Sequence, residues 1–160
     1  MKRSPQSTQS PGQVQSPRNA AMNLLARREH SVLELQRKLG RRFDADALNN
    51  ALQKLADEDL QSDERFAHSF TRERMLRGMG PLRIEAELRQ RGVASAFIDD
   101  ALITAPQEEG LTWRGVASDV LLRKFGDARP EDLPEKARRL RFLSYRGFGE
   151  EAAGLVPDVF

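Results

Sequence analysis

The sequence predicts an all-α protein, an elongated array of three tandem three-helix repeats. From Arg18 onward, apolar residues recur at helical spacing almost throughout, and no stretch of comparable length shows the two-residue alternation of a half-buried strand. A helix-ending signature also occurs three times, at intervals of about 50 residues, a period typical of repeat proteins. Its three copies are Arg42-Phe43, Arg91-Gly92-Val93 and Arg146-Gly147-Phe148.

The first repeat is predicted over residues 18–60, after a tail. Residues 1–17 are rich in Ser, Pro and Gln and predict disorder, because they offer too little apolar surface to offset the entropy lost on ordering. Ser31 and Glu34 have the spacing of a capping box, so a helix is expected to start there and to end at Gly40. The next helix carries a broad apolar stripe, formed by Ala47, Leu48, Ala51, Leu52 and Leu55.

The second repeat is predicted over residues 61–108. Its long first helix runs from about residue 63 to residue 77. Pro81 suits the first turn of the following helix, where its missing N–H costs nothing. Ser95 is expected to cap the third helix, and residues 106–110 are expected to form a linker to the next repeat.

The third repeat is predicted over residues 109–160 and is the least regular. Its first helix begins at Trp113 and stops near Gly126, and its second runs over residues 134–145. A short, weak helix is expected over residues 149–156, where two glycines replace helix formers. Atypical terminal repeats are expected of arrays, because an end repeat has only one neighbour.

The composition bounds the class of protein. Hydrophobic residues make up 39% of the 160 residues and charged residues 31%, which is enough for a thin core. The absence of cysteine excludes disulfides and thiolate metal sites and indicates a reducing compartment. Neither a signal-peptide core nor an apolar run of about 18 residues occurs, so we expect a cytoplasmic protein without a membrane partner.

The sequence contains no convincing catalytic or metal-binding constellation. Gly78-Met79-Gly80 lacks the lysine and the hydroxyl residue of a phosphate-binding loop. His30 and His68 do not have the spacing of metal ligands, and the adjacent side chains of Asp99 and Asp100 diverge on a helix. We therefore expect no enzymatic activity, no metal site and no cofactor.

Basic residues are the candidate functional groups. The net charge is only +2, but the chain is acidic over residues 44–64 and basic over residues 135–146, a polarity that steers encounters with charged partners. Arginine suits bidentate contacts with phosphate or carboxylate groups, so the partner face is expected to bind an acidic protein surface, DNA or both. The candidate residues are Arg74, Arg83, Arg89, Arg91, Arg138, Arg139 and Arg141.

Four segments form a specific combination by their order and spacing. They are Leu25-Ala26-Arg27-Arg28-Glu29-His30-Ser31, Leu60-Gln61-Ser62-Asp63-Glu64-Arg65-Phe66-Ala67, Gly78-Met79-Gly80-Pro81-Leu82-Arg83-Ile84 and Arg146-Gly147-Phe148. Together they resemble the RecX family over about residues 20–156.

The resemblance implies a non-catalytic regulator of the bacterial recombinase RecA. Members of the family bind along the groove of the RecA–DNA filament and inhibit strand exchange and ATP hydrolysis. They thereby modulate homologous recombination, DNA repair and the SOS response. ATP would belong to the recombinase, and we expect this chain to act as a monomer, with direct contact to DNA left open.

Three other functions compete with this one. A free-standing DNA-binding helical module could use a helix-turn-helix over residues 31–55, but Asp44 and Asp46 at the start of its second helix would repel phosphate. A regulatory adaptor for another ATPase differs from the leading hypothesis only in its partner. A helical nuclease would need acidic residues clustered around a metal, and the sequence shows no such cluster.

Overall fold

The computed structural model describes residues 15–159, which form α-helices and one 3-10 turn and contain no strand. The all-α prediction is therefore confirmed for this part of the chain. The helices are α1 (Pro17–Leu25), α2 (Val32–Leu39), α3 (Ala45–Asp57), α4 (Asp63–Leu76), α5 (Pro81–Gln90), α6 (Ser95–Glu108), α7 (Trp113–Phe125) and α8 (Leu133–Arg146), and the 3-10 turn is Glu150–Ala152.

The helices group in chain order into three units. Unit 1 is α1–α3, unit 2 is α4–α6, and unit 3 is α7, α8 and the 3-10 turn. The predicted disordered tail falls on residues 1–14, which lie outside the described residues, and on residues 15–17. Of these, Ser16 caps α1 and Pro17 is its first residue, so the helix begins one residue earlier than expected.

Local sequence signals set most helix starts. The capping box at α2 is present: the Ser31 hydroxyl accepts the Glu34 N–H at 3.1 Å, and the Glu34 carboxylate accepts the Ser31 N–H at 3.3 Å. Pro81 is the first residue of α5, as predicted. Gly40 does end α2, although its φ of −62° is right-handed, so glycine is not required there for a left-handed turn.

Two expectations for unit 2 were wrong. Ser95 is the first residue of α6 and not its cap, because Ala94 holds the N-cap position and no side chain caps that end. Residues 106–108 are not a linker: α6 continues through Pro106 to Glu108. The proline removes the N–H that would bond the Leu102 carbonyl, and the Trp113 indole N–H donates to that carbonyl instead, at 2.9 Å.

The last predicted helix is shorter than expected. The weak helix expected over residues 149–156 is a single 3-10 turn, Glu150–Ala152. Gly154, with a left-handed φ of 74°, turns the chain away from a helical path two residues later.

The hydrophobic core is divided into two clusters. One lies within unit 1 and is formed by buried residues of α1, α2 and α3, among them Leu35, Leu52 and Leu55. The other runs through both unit 2 and unit 3, and includes Leu88 of α5 and Leu143 of α8. Units 2 and 3 therefore share one core, whereas unit 1 has its own.

Units 2 and 3 also meet through a helix end. The Gly80 N–H donates to the Arg146 carbonyl at 2.7 Å, and the Leu82 N–H donates to the Gly147 carbonyl at 3.0 Å. Free donors at the start of α5 thus satisfy free acceptors at the end of α8, with favourable dipole orientation. A Cβ at Gly80 would lie 2.4 Å from the Gly147 carbonyl oxygen, so only glycine permits this approach.

Units 1 and 2 meet in a related way at the end of α5. The Arg91 carbonyl accepts the Ser31 hydroxyl at 2.8 Å, at the start of α2, and a Cβ at Gly92 would lie 2.9 Å from Leu33. In both junctions, the end of a unit's second helix contacts the start of the preceding unit's second helix. The second and third copies of the recurring signature thus form contacts between units, and the first copy, Arg42-Phe43, lies in the first described unit and lacks the glycine.

Candidate partner-binding surface

The candidate arginines of unit 2 are all paired with acids of the same chain. Arg74 of α4 and Arg83 of α5 both approach the Glu87 carboxylate, at 3.4 and 3.5 Å. Arg89 pairs with Glu85 one turn earlier, at 2.6 Å. These three guanidinium groups therefore share two carboxylates, those of Glu87 and Glu85.

Arg74 and Arg91 also line a cleft of about 220 Å³ between units 1 and 2. Both guanidinium groups lie over the ring of Phe70, each 4.7 Å from its centroid, a distance at which a cation is attracted to an aromatic face. Arg91 further donates to the Glu87 carbonyl at 2.9 Å and lies 3.8 Å from the Glu34 carboxylate. These contacts make both arginines part of the junction between the units.

The carboxylate of Glu34 is held in its charged form. Partial burial favours the neutral form, but hydrogen bonds from Arg28 and from the Ser31 N–H outweigh it, so the pKa of Glu34 lies below its ordinary value. Arg28 reaches both carboxylate oxygens at 3.0 Å, in a bidentate contact. On the side of unit 1, the cleft is therefore lined by the ion pair of Arg28 and Glu34, whose charges neutralise each other.

Arg139 of α8 is a structural residue. It is only 4% exposed, and it donates to the Ala128 carbonyl and to the Glu135 carboxylate, both at 2.7 Å. The pKa of Glu135 is lowered, first by the Glu131 N–H and then by Arg139. Arg139 is therefore not available to a partner, because its guanidinium group is buried against its own chain.

Arg138 and Arg141 differ from the other candidates. Both are exposed on α8, and neither forms an ion pair with any acidic residue among residues 15–159. Arg138 lies over the Phe125 ring, 5.4 Å from its centroid. The structure thus separates the candidate set by ion pairing: the candidates of unit 2 have ion-pair partners, and Arg138 and Arg141 of unit 3 have none among residues 15–159.

Exposed apolar residues lie next to these two arginines on α8 and were not singled out in the sequence analysis. Leu133 is 67% exposed, Leu140 is 47% exposed and Tyr145 is 78% exposed. The sequence could have predicted this exposed apolar face from the spacing of its leucines. Leu133 and Leu140 are seven residues apart on one helix face, whereas the buried Leu143 and Arg139 lie on another.

The histidines occupy different environments. His30 is 2% exposed, and its ring nitrogens lie 3.0 Å from the Arg28 carbonyl and 3.1 Å from Lys38 Nζ. Burial is the largest influence on His30 and lowers its pKa. His68 is half-buried and lies 3.3 Å from the Glu108 carboxylate.

The described residues contain no group of three or more His, Asp or Glu side chains arranged to hold a metal ion. None of the described helices is both long enough and apolar enough to cross a membrane. These residues define an all-helical tandem-repeat protein whose most distinctive surface is the exposed face of α8.

Comparison with known proteins gives the family. The model of the first three-helix domain of RecX matches residues 18–55, and the model of the second matches residues 62–102. The chain is 46% identical over 138 residues to regulatory protein RecX of Pseudomonas putida, covering 86% of each chain. It is 45% identical to regulatory protein RecX of Pseudomonas fluorescens, covering 84% of each chain. The chain therefore belongs to the RecX family.

Solved structures agree on the fold. A crystal structure titled regulatory protein RecX superposes with a TM-score of 0.73 at 22% identity, covering 88% of this chain and 70% of that one. The crystal structure of RecX from Lactobacillus salivarius gives a TM-score of 0.68 at 22% identity, covering 89% of this chain and 94% of that one. The predicted array of tandem helical repeats is thereby confirmed.

Proposed function

We propose that this chain is a non-catalytic, cytoplasmic regulator that binds the filament of a RecA-type recombinase on DNA and inhibits strand exchange and ATP hydrolysis. Through that inhibition it would modulate homologous recombination, DNA repair and the SOS response. The observation that carries the proposal is the 46% identity, over 86% of the chain, to relatives named regulatory protein RecX.

The surface of unit 3 supports this proposal physically. A repeat array presents an extended surface that suits another macromolecule along its length. Arg138 and Arg141 are exposed and are not held in an ion pair by any residue among 15–159, so they can bind the carboxylates or phosphates of a partner. We further propose that the chain acts as a monomer.

The test is ATP hydrolysis by the recombinase of the same organism on single-stranded DNA at fixed salt, with this chain added in substoichiometric amounts. We expect inhibition, and the dose required distinguishes binding at filament ends from coating of the filament. Unchanged hydrolysis, together with binding of this chain to DNA without recombinase, would favour the free-standing DNA-binding module. The start of α3 argues against that module, because Asp44 caps it and Asp46 lies in its first turn.

The two classes of arginine can be compared in the same assay. Replacing Arg138 and Arg141 by Gln is expected to weaken filament binding roughly tenfold, equivalent to about 1.4 kcal/mol. The matched control replaces Arg77 and Arg89, which are equally numerous and exposed but paired with Glu73 and Glu85 on their own helices. If the control weakens binding as much as the first variant, the binding face includes unit 2.

A further inference from the structure

The outer face of α8 carries two adjacent rows of side chains. One row is apolar and small: Leu133, Ala137, Leu140 and Ser144, at intervals of four, three and four residues. The neighbouring row contains Pro134, Arg138, Arg141 and Tyr145 at the same intervals, each one position later in the sequence. The face therefore presents an aliphatic stripe beside a cationic, aromatic one along nearly the whole helix.

None of the eight side chains in these two rows is buried in the core. The opposite side of α8 provides the core contacts, through Leu143 in the shared cluster and through the buried Arg139. Tyr145 is touched at one side by the Arg83 guanidinium, 5.4 Å from its ring centroid, yet 78% of the residue remains exposed. Keeping two leucines and the single tyrosine of the chain exposed on one helix is a cost that a binding partner would remove.

We propose that α8 is a docking helix, whose outer face lies lengthwise in an apolar groove of a protein partner bordered by carboxylates. This inference rests on the proposed function and names the partner chemistry of the same surface. Leu133 and Leu140, seven residues apart, are the anchors at the spacing by which helices insert into apolar grooves, and Tyr145 flanks them on the neighbouring row. Arg138 and Arg141 then meet the acidic border.

The composition of the face favours a protein over a nucleic acid. Arg141 and Tyr145 would suit either partner, since arginine binds phosphates and an aromatic ring stacks on bases. The aliphatic row gains nothing from a hydrated sugar–phosphate backbone, whereas it is removed from water in an apolar groove. Tyrosine and arginine are also the residues on which protein interfaces most depend.

The experiment measures binding of three full-length forms to recombinase filaments, assembled on oligo(dT) with a non-hydrolysable ATP analogue. The forms are the native chain, the variant L133S/L140S/Y145A, and I103S, whose side chain is 60% exposed on α6 and serves as the matched surface control. Circular dichroism and thermal unfolding establish that all three are folded. Arg138 and Arg141 remain in place, so the apolar contribution is measured alone.

We expect the triple variant to bind filaments at least tenfold more weakly than the native chain, and I103S to bind as the native chain does. If the native chain binds filaments and the triple variant binds equally well, the docking helix is refuted and the proposed function stands. If the native chain does not bind filaments, the proposed function itself fails.

A second probe separates protein from nucleic acid. Binding to bare oligo(dT) is measured for the same forms across a salt series, because phosphate contacts give a steep salt dependence. We expect the triple substitution to leave any such binding unchanged. Parallel loss of filament binding and oligo(dT) binding in the variant would overturn the proposal and assign the face to single-stranded nucleic acid. If the triple variant does not fold, L140S and Y145A are tested singly, and unchanged filament binding by both refutes the docking helix.

Discussion

The two junctions between units are built on one geometric scheme with different chemistry. At both, the end of a second helix contacts the start of the preceding unit's second helix. Between units 2 and 3, that contact is accompanied by a continuous hydrophobic cluster. Between units 1 and 2, it is accompanied by hydrogen bonds and ion pairs, and the hydrophobic clusters on the two sides remain separate.

The polar junction between units 1 and 2 contains further hydrogen bonds and a further ion pair. The Val32 N–H donates to the Asp63 carboxylate at 2.9 Å, and Arg37 donates to the Gln90 carbonyl at 3.0 Å. Arg65 of α4 pairs with Glu29 at 3.0 Å. Such contacts specify orientation, but each contributes little net free energy, since the same groups bond water when they separate. Unit 1 is therefore expected to open independently of units 2 and 3, which should unfold together.

The largest effects should come from the two cores. Leu88→Ala and Leu52→Ala each remove a fully buried side chain, so each should cost about 2–5 kcal/mol of unfolding free energy. Hydrogen exchange resolved by segment would show which helices lose protection in each variant. Leu52→Ala should lower protection in α1–α3 alone, and Leu88→Ala should lower it throughout α4–α8. Equal loss of protection in α8 from Leu52→Ala would contradict the separation of the two cores.

The next effect tests the glycine contact between units 2 and 3. Gly147 has a φ of 96°, and an added Cβ would lie 2.4 Å from Arg83 Cβ, so Gly147→Ala should cost about 1–3 kcal/mol for the backbone strain and more for the clash. Gly154→Ala is the matched control, because its φ of 74° imposes similar strain while no atom lies within 4 Å of the added Cβ. Equal shifts in urea midpoint for the two variants would mean that the close approach does not stabilise the junction.

Local signals in the sequence predicted the helices well, because they act within a few residues. The capping box of Ser31 and Glu34, Pro81 at a helix start and the ends at Gly126 and Gly147 all rest on nearest neighbours. The linker expected from Pro106 onward was wrong, because the contact that decides the local structure there is not local. Its helix continues because Trp113, a residue outside the helix, donates to the carbonyl that the proline leaves free.

The candidate site was less predictable, because charge compensation depends on tertiary contacts. The pairs Arg83–Glu87 and Arg89–Glu85 are four residues apart and readable in the sequence. The contact of Arg91 with Glu34 and the burial of Arg139 depend on how segments meet in space. The sequence thus identifies the basic residues, and the structure shows which of them are buried or have an ion-pair partner.

A smaller effect is expected at the polar junction itself. Ser31→Ala removes both the cap of α2 and the hydrogen bond to the Arg91 carbonyl, so it should cost about 0.5–2 kcal/mol and lower hydrogen-exchange protection in unit 1. Ser62→Ala is the matched control, since Ser62 caps α4 through the Arg65 N–H and has no recorded bond across the junction. If both variants cost the same and leave unit 1 equally protected, the Ser31–Arg91 bond contributes nothing to the junction.

The smallest effect should come from mild acid, which acts on the polar junction through the buried His30. The pKa of His30 is lowered by burial, so the unfolded chain takes up a proton near pH 6.5 before the folded chain does, and stability falls as the pH drops below about 6.5. The pKa of Glu34 is also lowered, so its contribution is present above about pH 4.3 and is lost as the pH falls through the folded value.

Mild acid should therefore loosen unit 1 before units 2 and 3, and hydrogen exchange measured at pH 7 and about pH 5.5 would detect the difference. His30→Gln should remove the part of this dependence that begins below about pH 6.5, at some cost in stability at neutral pH. His68→Gln is the control, because His68 lies on α4 beside Glu108 and outside the contacts of Ser31 and Glu34. If units 1 and 2 instead lose protection together as the pH falls, the hydrogen bonds of the polar junction couple these two units as firmly as the shared hydrophobic core couples units 2 and 3.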